Sequence, residues 1–297
     1  MSAVCHAMDQ GINHFDTAPF YGQGESERIL GAVFSKCTTN IVVSTKVGLV
    51  PSKSLRMLAT LKPIVRRVLT GLPDSARKRL QRRVQNVIHK NVAVALDPQS
   101  ITSSVETSLR RLRRESVDVL LLHVSPAAEQ LSETLDVLSR LKQSGKIRSF
   151  GAGAAGVEES LRWLAEPIDV LQLRLNLLEI ETLKIAIPMA IERQIGVIAR
   201  EPFAHGRLLP ADNLGSKSNG LSFMGESFDS RFESLREAGE SLPQLSLRFL
   251  LHTKGIHSVL AGMAQVRHID ENLQSVGMPA LDNSLQTQIM STLLAQF

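Results

Sequence analysis

Short runs of branched and aliphatic residues recur along this chain, separated by longer stretches in which apolar positions return every three or four residues. The short runs are 13–17, 41–46, 117–123, 147–152, 170–175, 196–200 and 258–262. Most are continuously apolar and do not alternate, as expected of strands buried on both faces of a parallel sheet. The longer stretches read as amphipathic helices near 3–10, 26–36, 101–115, 131–144, 157–165, 181–194, 242–253 and 266–275. Within 101–115, Val105, Leu109 and Leu112 form one stripe, and Arg110, Arg111, Arg113 and Arg114 fall mostly off it. Gly145 and Gly196 stand where helix C-terminal caps or the following turns are expected.

Seven strands alternating with helices predict an α/β fold, either a parallel barrel or a doubly wound sheet. A doubly wound sheet places a glycine-rich phosphate loop after its first strand. The one glycine cluster of that kind, Gly151-Ala152-Gly153-Ala154-Ala155-Gly156, lies in mid-chain. The barrel is therefore favoured. The 297 residues suit one (β/α)8-type domain, which takes about 250, so residues 1–297 are read as a single domain.

Residues 51–97 break the rhythm. Two basic amphipathic helices, 55–69 and 76–89, are expected there, divided by Gly71-Leu72-Pro73. Residues 51–90 hold eleven Lys and Arg against one acid, Asp74, so the net charge of +5 belongs to this segment and the rest of the chain is acidic. The insertion reads as a solvated pair of helices, or as a lid that attracts anionic substrate or an acidic membrane surface. It lacks aromatic residues for stacking on bases, so nucleic acid is not expected as a partner.

The remaining composition narrows the class. No apolar run reaches the roughly 20 residues of a membrane span. The start, Met1-Ser2-Ala3-Val4-Cys5-His6, has no basic region followed by an apolar one, which argues against a secretory signal and for a cytoplasmic protein. Cys5 and Cys37 make no disulfide framework and read as reduced, small hydrophobic residues; no Cys/His cluster has zinc spacing, so no metal is expected.

The polar groups at the strand ends carry the chemistry. One strand ends on Asp16, and five residues later comes Tyr21, the only tyrosine. Lys46 ends Ile41-Val42-Val43-Ser44-Thr45-Lys46, and His123 ends Val117-Asp118-Val119-Leu120-Leu121-Leu122-His123. In a βα barrel the C-terminal ends of the strands bear the active site. Each residue also has a plain alternative: a cap on the next turn for Asp16, a strand-end lysine for Lys46, a half-buried surface ring for Tyr21, a hydrogen-bonded core imidazole for His123.

These stretches together resemble the aldo-keto reductase family. The match is carried by Gly11-Ile12-Asn13-His14-Phe15-Asp16-Thr17-Ala18-Pro19-Phe20-Tyr21-Gly22 and on to Glu27, by Ile29-Leu30-Gly31, Ser44-Thr45-Lys46, and Ser108-Leu109-Arg110-Arg111-Leu112. It continues in Gly145-Lys146-Ile147-Arg148 with Gly151, Gln172, residues 196–202 with Gly206, and Gly262 with Glu271-Asn272-Leu273. The resemblance implies a (β/α)8 TIM-type barrel and NADP(H)-dependent interconversion of a carbonyl (aldehyde, ketone or sugar) and an alcohol, with NAD as the other possible cofactor. It implies a catalytic tetrad of Asp16, Tyr21, Lys46 and His123. A phenol is a poor acid near neutrality, with a reference pKa of about 10, and a neighbouring ammonium stabilises phenolate. Lys46 would take that part, held by Asp16, while His123 bonds the carbonyl oxygen or helps deliver the proton.

The resemblance also implies cofactor contacts. Gln172 would hold the nicotinamide carboxamide. Arg200, Pro202 and Phe203 would cover the nicotinamide and pyrophosphate, Arg200 standing where relatives often carry an aromatic ring. Gly262 and Met263, with Ala264, would form a phosphate turn, and Glu271 and Asn272 would meet the adenine. Arg267 and His268 are candidates for a 2′-phosphate.

Two departures stand out. Where the family has Ser-Asn after the fifth strand, this chain has Gly153-Ala154, which removes two side-chain hydrogen bonds to the carboxamide. Relatives also carry an N-terminal hairpin and first strand before the helix that leads into Gly11, so seven barrel strands are expected here and not eight. The rival expectation that follows is a non-catalytic cofactor-binding or regulatory barrel, or a truncated remnant.

Overall fold

A computed structural model describes residues 2–36, 40–51, 92–209, 230–237, 239–263 and 265–294. The strands among them, in chain order, are β1 (His14–Asp16), β2 (Val42–Val47), β3 (Leu49–Pro51), β4 (Val92–Val94), β5 (Val117–Leu122), β6 (Ile147–Ala154), β7 (Val170–Arg174), β8 (Gly196–Arg200) and β9 (Ser258–Leu260). Seven of these form a nearly closed parallel barrel in the order β1-β2-β5-β6-β7-β8-β9. Every neighbouring pair in that order is parallel, for instance Lys46 beside Leu121 and Gly153 beside Gln172. The expected strands are all present, shortened or shifted by a residue or two, except β6, which runs on to Ala154.

The unbroken apolar runs follow from burial on both faces. In β5, Val119 and Leu121 face the lumen, where they pack with Ile198, Val170 and Leu260. Leu120 and Leu122 face outward into the larger aliphatic core under the helices. That outer core is covered by α1 (Ser2–Asp9), α2 (Glu25–Phe34), α3 (Pro98–Leu112), α4 (Ala128–Gln143), α5 (Val157–Leu164), α6 (Ile180–Glu192), α7 (Leu242–His252), α8 (Val266–Gly277) and α9 (Asn283–Leu294). Local signals account for several boundaries. Asp97 caps α3, accepting from the Ser100 N–H at 2.9 Å, and Pro98 opens the helix. Ser241 and Gln244 form a capping box at α7. The α3 stripe is buried as expected, with Ile101 added to it.

The structure departs from the sequence reading at several points. Gly145 does take the left-handed turn after α4 (φ 73°), but Gly196 opens β8, and Gln194 (φ 57°) makes the turn after α6. Cys5 is exposed and not a core residue, its face of α1 looking away from the barrel; Cys37 lies outside the described residues. An antiparallel ribbon of β3 with β4 joins the two ends of the basic insertion. The pair of helices expected within that insertion, 55–69 and 76–89, lies outside the described residues. Finally, α9 packs on the barrel wall beside α6, where the hydrophobic pattern marks no helix.

The barrel is closed between its first and last strands by side chains. His14 reaches across from β1, its Nδ1 hydrogen-bonded to Ser258 Oγ of β9 at 2.8 Å and its Nε2 to Ser44 Oγ of β2 at 2.6 Å. The ring is largely buried, and that burial lowers its pKa below 6.5.

Candidate active site

Alternation along β1 and β2 brings the first groups together. His14 and Asp16 share the lumen face of β1, and Lys46 shares the lumen face of β2. Lys46 is 4% exposed; its ammonium bonds Asp16 Oδ2 and donates to the Thr17 carbonyl at 3.3 Å. Asp16 uses its other oxygen, Oδ1, to accept from Gln172 Nε2 at 3.1 Å. The carboxylate is thus spanned by an amine from β2 and an amide from β7.

Tyr21 sits on the short 3₁₀ turn Tyr21–Gly24 that leads into α2. Its ring lies 5.1 Å from Lys46 Nζ, measured to the ring centre, and meets the His123 ring edge-on with centres 6.0 Å apart. His123 stands just past the end of β5, its N–H bonded to the Val47 carbonyl at 2.9 Å. The four polar groups therefore converge on one place, and Tyr21, 39% exposed, forms the outer wall.

Burial pushes the His123 pKa down to about 4, helped by the positive charges of Lys46 and Arg200 and opposed by Asp16. The imidazole is consequently neutral at neutral pH. A neutral ring can donate one hydrogen bond without bringing a second proton into the site.

These groups open into a cavity of about 820 Å³. Asp16, Tyr21, Lys46, His123, Gln172, Arg200, Pro202, Phe203, Gly262 and Met263 all line it. Glu271 and Asn272 do not; they lie further along α8, and Glu271 contributes its carbonyl to Gln244 Nε2 at 3.0 Å. Arg267 is exposed and also lies outside the cavity lining, as does His268. Ala264 lies outside the described residues.

The Gly153-Ala154 pair divides between the two faces of β6. Gly153 faces the cavity, leaving open space where a side chain would project, and Ala154 is buried in the outer core. Arg200 bonds Glu201 and donates from Nη2 to the Ala154 carbonyl at 3.4 Å, so its guanidinium lies across the end of β6. The segment after β8 is unusual in backbone shape: Glu201, Ala204 and His205, none of them glycine, take φ between 49° and 60°. Such geometry persists where surrounding contacts impose it. Here Asn176 Nδ2 donates to the Glu201 carbonyl at 3.1 Å, and His205 Nε2 meets Glu201 Oε2 at 2.6 Å.

Over most of its length the chain follows one known pattern. The family model described as "Aldo/keto reductase family" matches residues 1–291. This chain belongs to the aldo/keto reductase family. Among its relatives there is the NADH-specific methylglyoxal reductase of Escherichia coli, 25% identical over 299 residues, covering 95% of this chain and 84% of the relative. The fold is also that of solved aldo/keto reductases. The holo form of an aldo-keto reductase from Bacillus halodurans superposes with a TM-score of 0.73 at 21% identity, covering 98% of this chain and 86% of that one. An aldo-keto reductase from Klebsiella pneumoniae in complex with NADPH gives 0.66 at 19% identity, covering 97% and 82%. As a member of this family the chain is an NAD(P)H-dependent oxidoreductase that interconverts carbonyls and alcohols.

Two further cavity residues are not marked as functional by the sequence. Glu159 lines the rim, accepting from the Ala155 N–H and from Ser125 Oγ, each at 2.8 Å. His14 also lines the cavity. Glu159 stands three residues after Gly156, the residue before α5, a spacing at which a carboxylate folds back on the helix start.

The cavity fits a dinucleotide in size and in donor chemistry. Pockets for such ligands run to about 300–1,000 Å³. The buried Gln172 amide stands beside the open space at Gly153, on the neighbouring strand. A Cβ on Gly262 would meet nothing within 4 Å. Gly262 and Met263 follow β9, and Gln265, the residue before α8, makes no side-chain cap bond. A helix start without a side-chain cap is suited to phosphate.

Proposed function

We propose that this chain reduces the carbonyl of an aldehyde, ketone or sugar with NADP(H), or NAD(H), and that Tyr21 is the proton donor. The observation that carries the reading is the Asp16–Lys46 pair beneath the Tyr21 ring with neutral His123 against its edge. The nicotinamide cofactor supplies the hydride when bound. Gln172 and the backbone beside Gly153 would hold its nicotinamide end, and Arg200, Pro202, Phe203, Gly262 and Met263 its middle and phosphate parts.

The residues of the chain do the rest. A carbonyl oxygen placed between Tyr21 and His123 receives a hydrogen bond from the neutral imidazole, which stabilises the negative charge growing on that oxygen. Tyr21 delivers its proton to the same oxygen. The Lys46 ammonium steadies the phenolate left behind, and Asp16 keeps that ammonium aimed. Hydride on carbon and proton on oxygen complete the alcohol.

Substrate and cofactor choice draw on the relatives' names. The Escherichia coli protein is a methylglyoxal reductase specific for NADH, and the Klebsiella pneumoniae structure holds NADPH. Both cofactors therefore belong in the test, with small aldehydes and sugars as the substrate panel. We place the enzyme in the cytoplasm, because its reaction draws on a pool of reduced dinucleotide. Among the described residues no helix is long and apolar enough to cross a membrane.

The experiment is turnover of NADPH and of NADH over methylglyoxal, glyceraldehyde and aldoses, with cofactor affinity measured by fluorescence titration. Tyr21→Phe is expected to lower turnover by about 10²–10⁴-fold and leave cofactor affinity intact. Equal turnover in the variant removes Tyr21 from the mechanism.

A further inference from the structure

Asp16 holds Lys46 from inside the barrel. A second carboxylate, Glu27, holds the neighbouring residue of the same strand from outside. Glu27 is fully buried on α2, accepting from Thr45 Oγ1 at 2.9 Å through one oxygen and from Arg111 Nη1 at 3.1 Å through the other. Thr45 and Lys46 are adjacent on β2, so their side chains leave on opposite faces. Thr45 meets α2, and Lys46 meets Tyr21.

The turn that carries Tyr21 depends on anchors of this kind. Gly22, Gln23 and Gly24 follow Tyr21 with φ of 59°, 57° and 85°. Three successive left-handed residues, one of them not glycine, are unfavourable for an isolated chain. The turn starts on β1, where the Thr17 N–H donates to the Ser44 carbonyl at 2.9 Å. It ends on α2, whose third residue is Glu27. The Arg111 guanidinium packs directly beneath the turn: a Cβ on Gly24 would lie 2.4 Å from Arg111 Cζ. Glu27, Thr45 and Arg111 thus tie the far end of the Tyr21 turn to the strand that carries Lys46, at the level of Lys46 itself.

We infer that Glu27 is a positioning residue for the reaction, setting the distance between Tyr21 and Lys46 through its bonds to Thr45 and Arg111. The inference rests on the reading of Tyr21 as proton donor. It predicts an effect that lost stability alone does not produce. When the clamp loosens, Tyr21 drifts from the ammonium, so proton delivery slows, while the cofactor cavity, which Glu27 does not line, keeps its affinity.

The test uses Glu27→Gln, which keeps the shape and removes the charge that Arg111 meets. Glu240→Gln is the control: Glu240 is buried like Glu27 and bonded to Arg248 Nε and Nη2 at 2.8 and 2.7 Å, and it does not line the cavity. Expected for Glu27→Gln is a fall in kcat of about tenfold or more with KM for the carbonyl nearly unchanged, since a small misplacement of a reacting group has effects of this size. A second readout needs no turnover. Tyr21 is the single tyrosine of the chain, so ring-labelled tyrosine gives one NMR signal that reports where the ring stands. That signal is expected to move in Glu27→Gln and to stay in place in Glu240→Gln.

Unaltered kcat and an unmoved Tyr21 signal in folded Glu27→Gln overturn the inference. If that variant yields no folded protein, Thr45→Val takes its place, since it removes the Oγ1 bond to Glu27 and keeps the shape of the side chain; parent values in both readouts overturn the inference equally. If Tyr21→Phe abolishes turnover and Glu27→Gln does not alter it, this inference falls alone. If Tyr21→Phe turns over like its parent, the reading beneath it falls.

Discussion

His14 Nδ1 lies 2.8 Å from Ser258 Oγ, which joins the first strand of the barrel to the last. The same ring bonds Ser44 at 2.6 Å, so three strands are held by one imidazole. Among the described residues this side-chain clasp takes the place of a ladder of backbone bonds between β1 and β9. An open edge there would expose unpaired N–H and C=O groups.

Removing the clasp should loosen the seam. His14→Ala is expected to lower stability by about 1–3 kcal/mol, the sum of two hydrogen bonds of ordinary strength. Urea denaturation measures it. An unchanged midpoint with an unchanged slope would show that the clasp does not hold the seam.

Acid should destabilise the protein through two histidines. Burial lowers the folded-state pKa of His14, and burial with nearby positive charge lowers that of His123 to about 4. Both rings bind protons less readily when folded than when unfolded, so their protonation favours unfolding. The His123 contribution is full above about pH 6.5, the ordinary histidine value, and is lost as pH falls towards about 4; that of His14 is lost in the same direction. Denaturation midpoints measured over this range should fall with pH, and the fall should be shallower in a His14→Gln, His123→Gln double variant. An equal slope in parent and variant would assign the acid sensitivity to other groups.

The Asp16–Lys46 pair separates stability from catalysis. Lys46→Met strands a carboxylate in the lumen, and breaking a buried ion pair in this way costs about 3–5 kcal/mol. Adding Asp16→Asn removes the stranded charge and should recover much of that loss. Turnover should stay down by about 10²-fold or more in both variants, because the ammonium beside the phenol is gone. Recovery of turnover together with stability would show that the pair is only structural.

Gly151 should tolerate no side chain. A Cβ built there falls 1.6 Å from the Val170 carbonyl oxygen on β7, inside the backbone of the adjacent strand. Gly151→Ala is expected to destabilise by more than the roughly 1–3 kcal/mol of ordinary overpacking, since a ladder must shift and not a side chain. The same change at Gly153, where the nearest atom is the Leu122 carbonyl oxygen at 3.7 Å, should leave stability nearly unchanged. Thermal unfolding of the two variants checks the contrast.

Asp16, Tyr21, Lys46 and His123 are legible as candidates because each sits at or near the end of a strand with a strong apolar signal. Strand ends locate themselves once the strands are found, and in a barrel they share one rim. Gln172, Arg200, Pro202, Phe203, Gly262 and Met263 come from the family resemblance, and they line the same cavity. Glu271 and Asn272 come from the same resemblance; they lie along α8, outside the lining of that cavity. The β3–β4 ribbon carries no local signal: its strands are three residues each and about forty residues apart, and nothing nearby marks them as partners.

The sequence by itself determined the alternation of strand and helix, the family, and which residues carry acids, amines and imidazoles to the strand ends, because these are encoded in local apolar period and motif spacing. Tertiary structure alone decided that His14 closes the barrel, that Gln172 shares Asp16 with Lys46, and that Glu27 grips the outer face of β2. Each of those contacts joins residues distant along the chain: His14 with Ser258, Asp16 with Gln172, Glu27 with Arg111. Such pairings arise when the sheet curls and its first and last strands meet, and no short stretch of polypeptide records where a remote partner will stand.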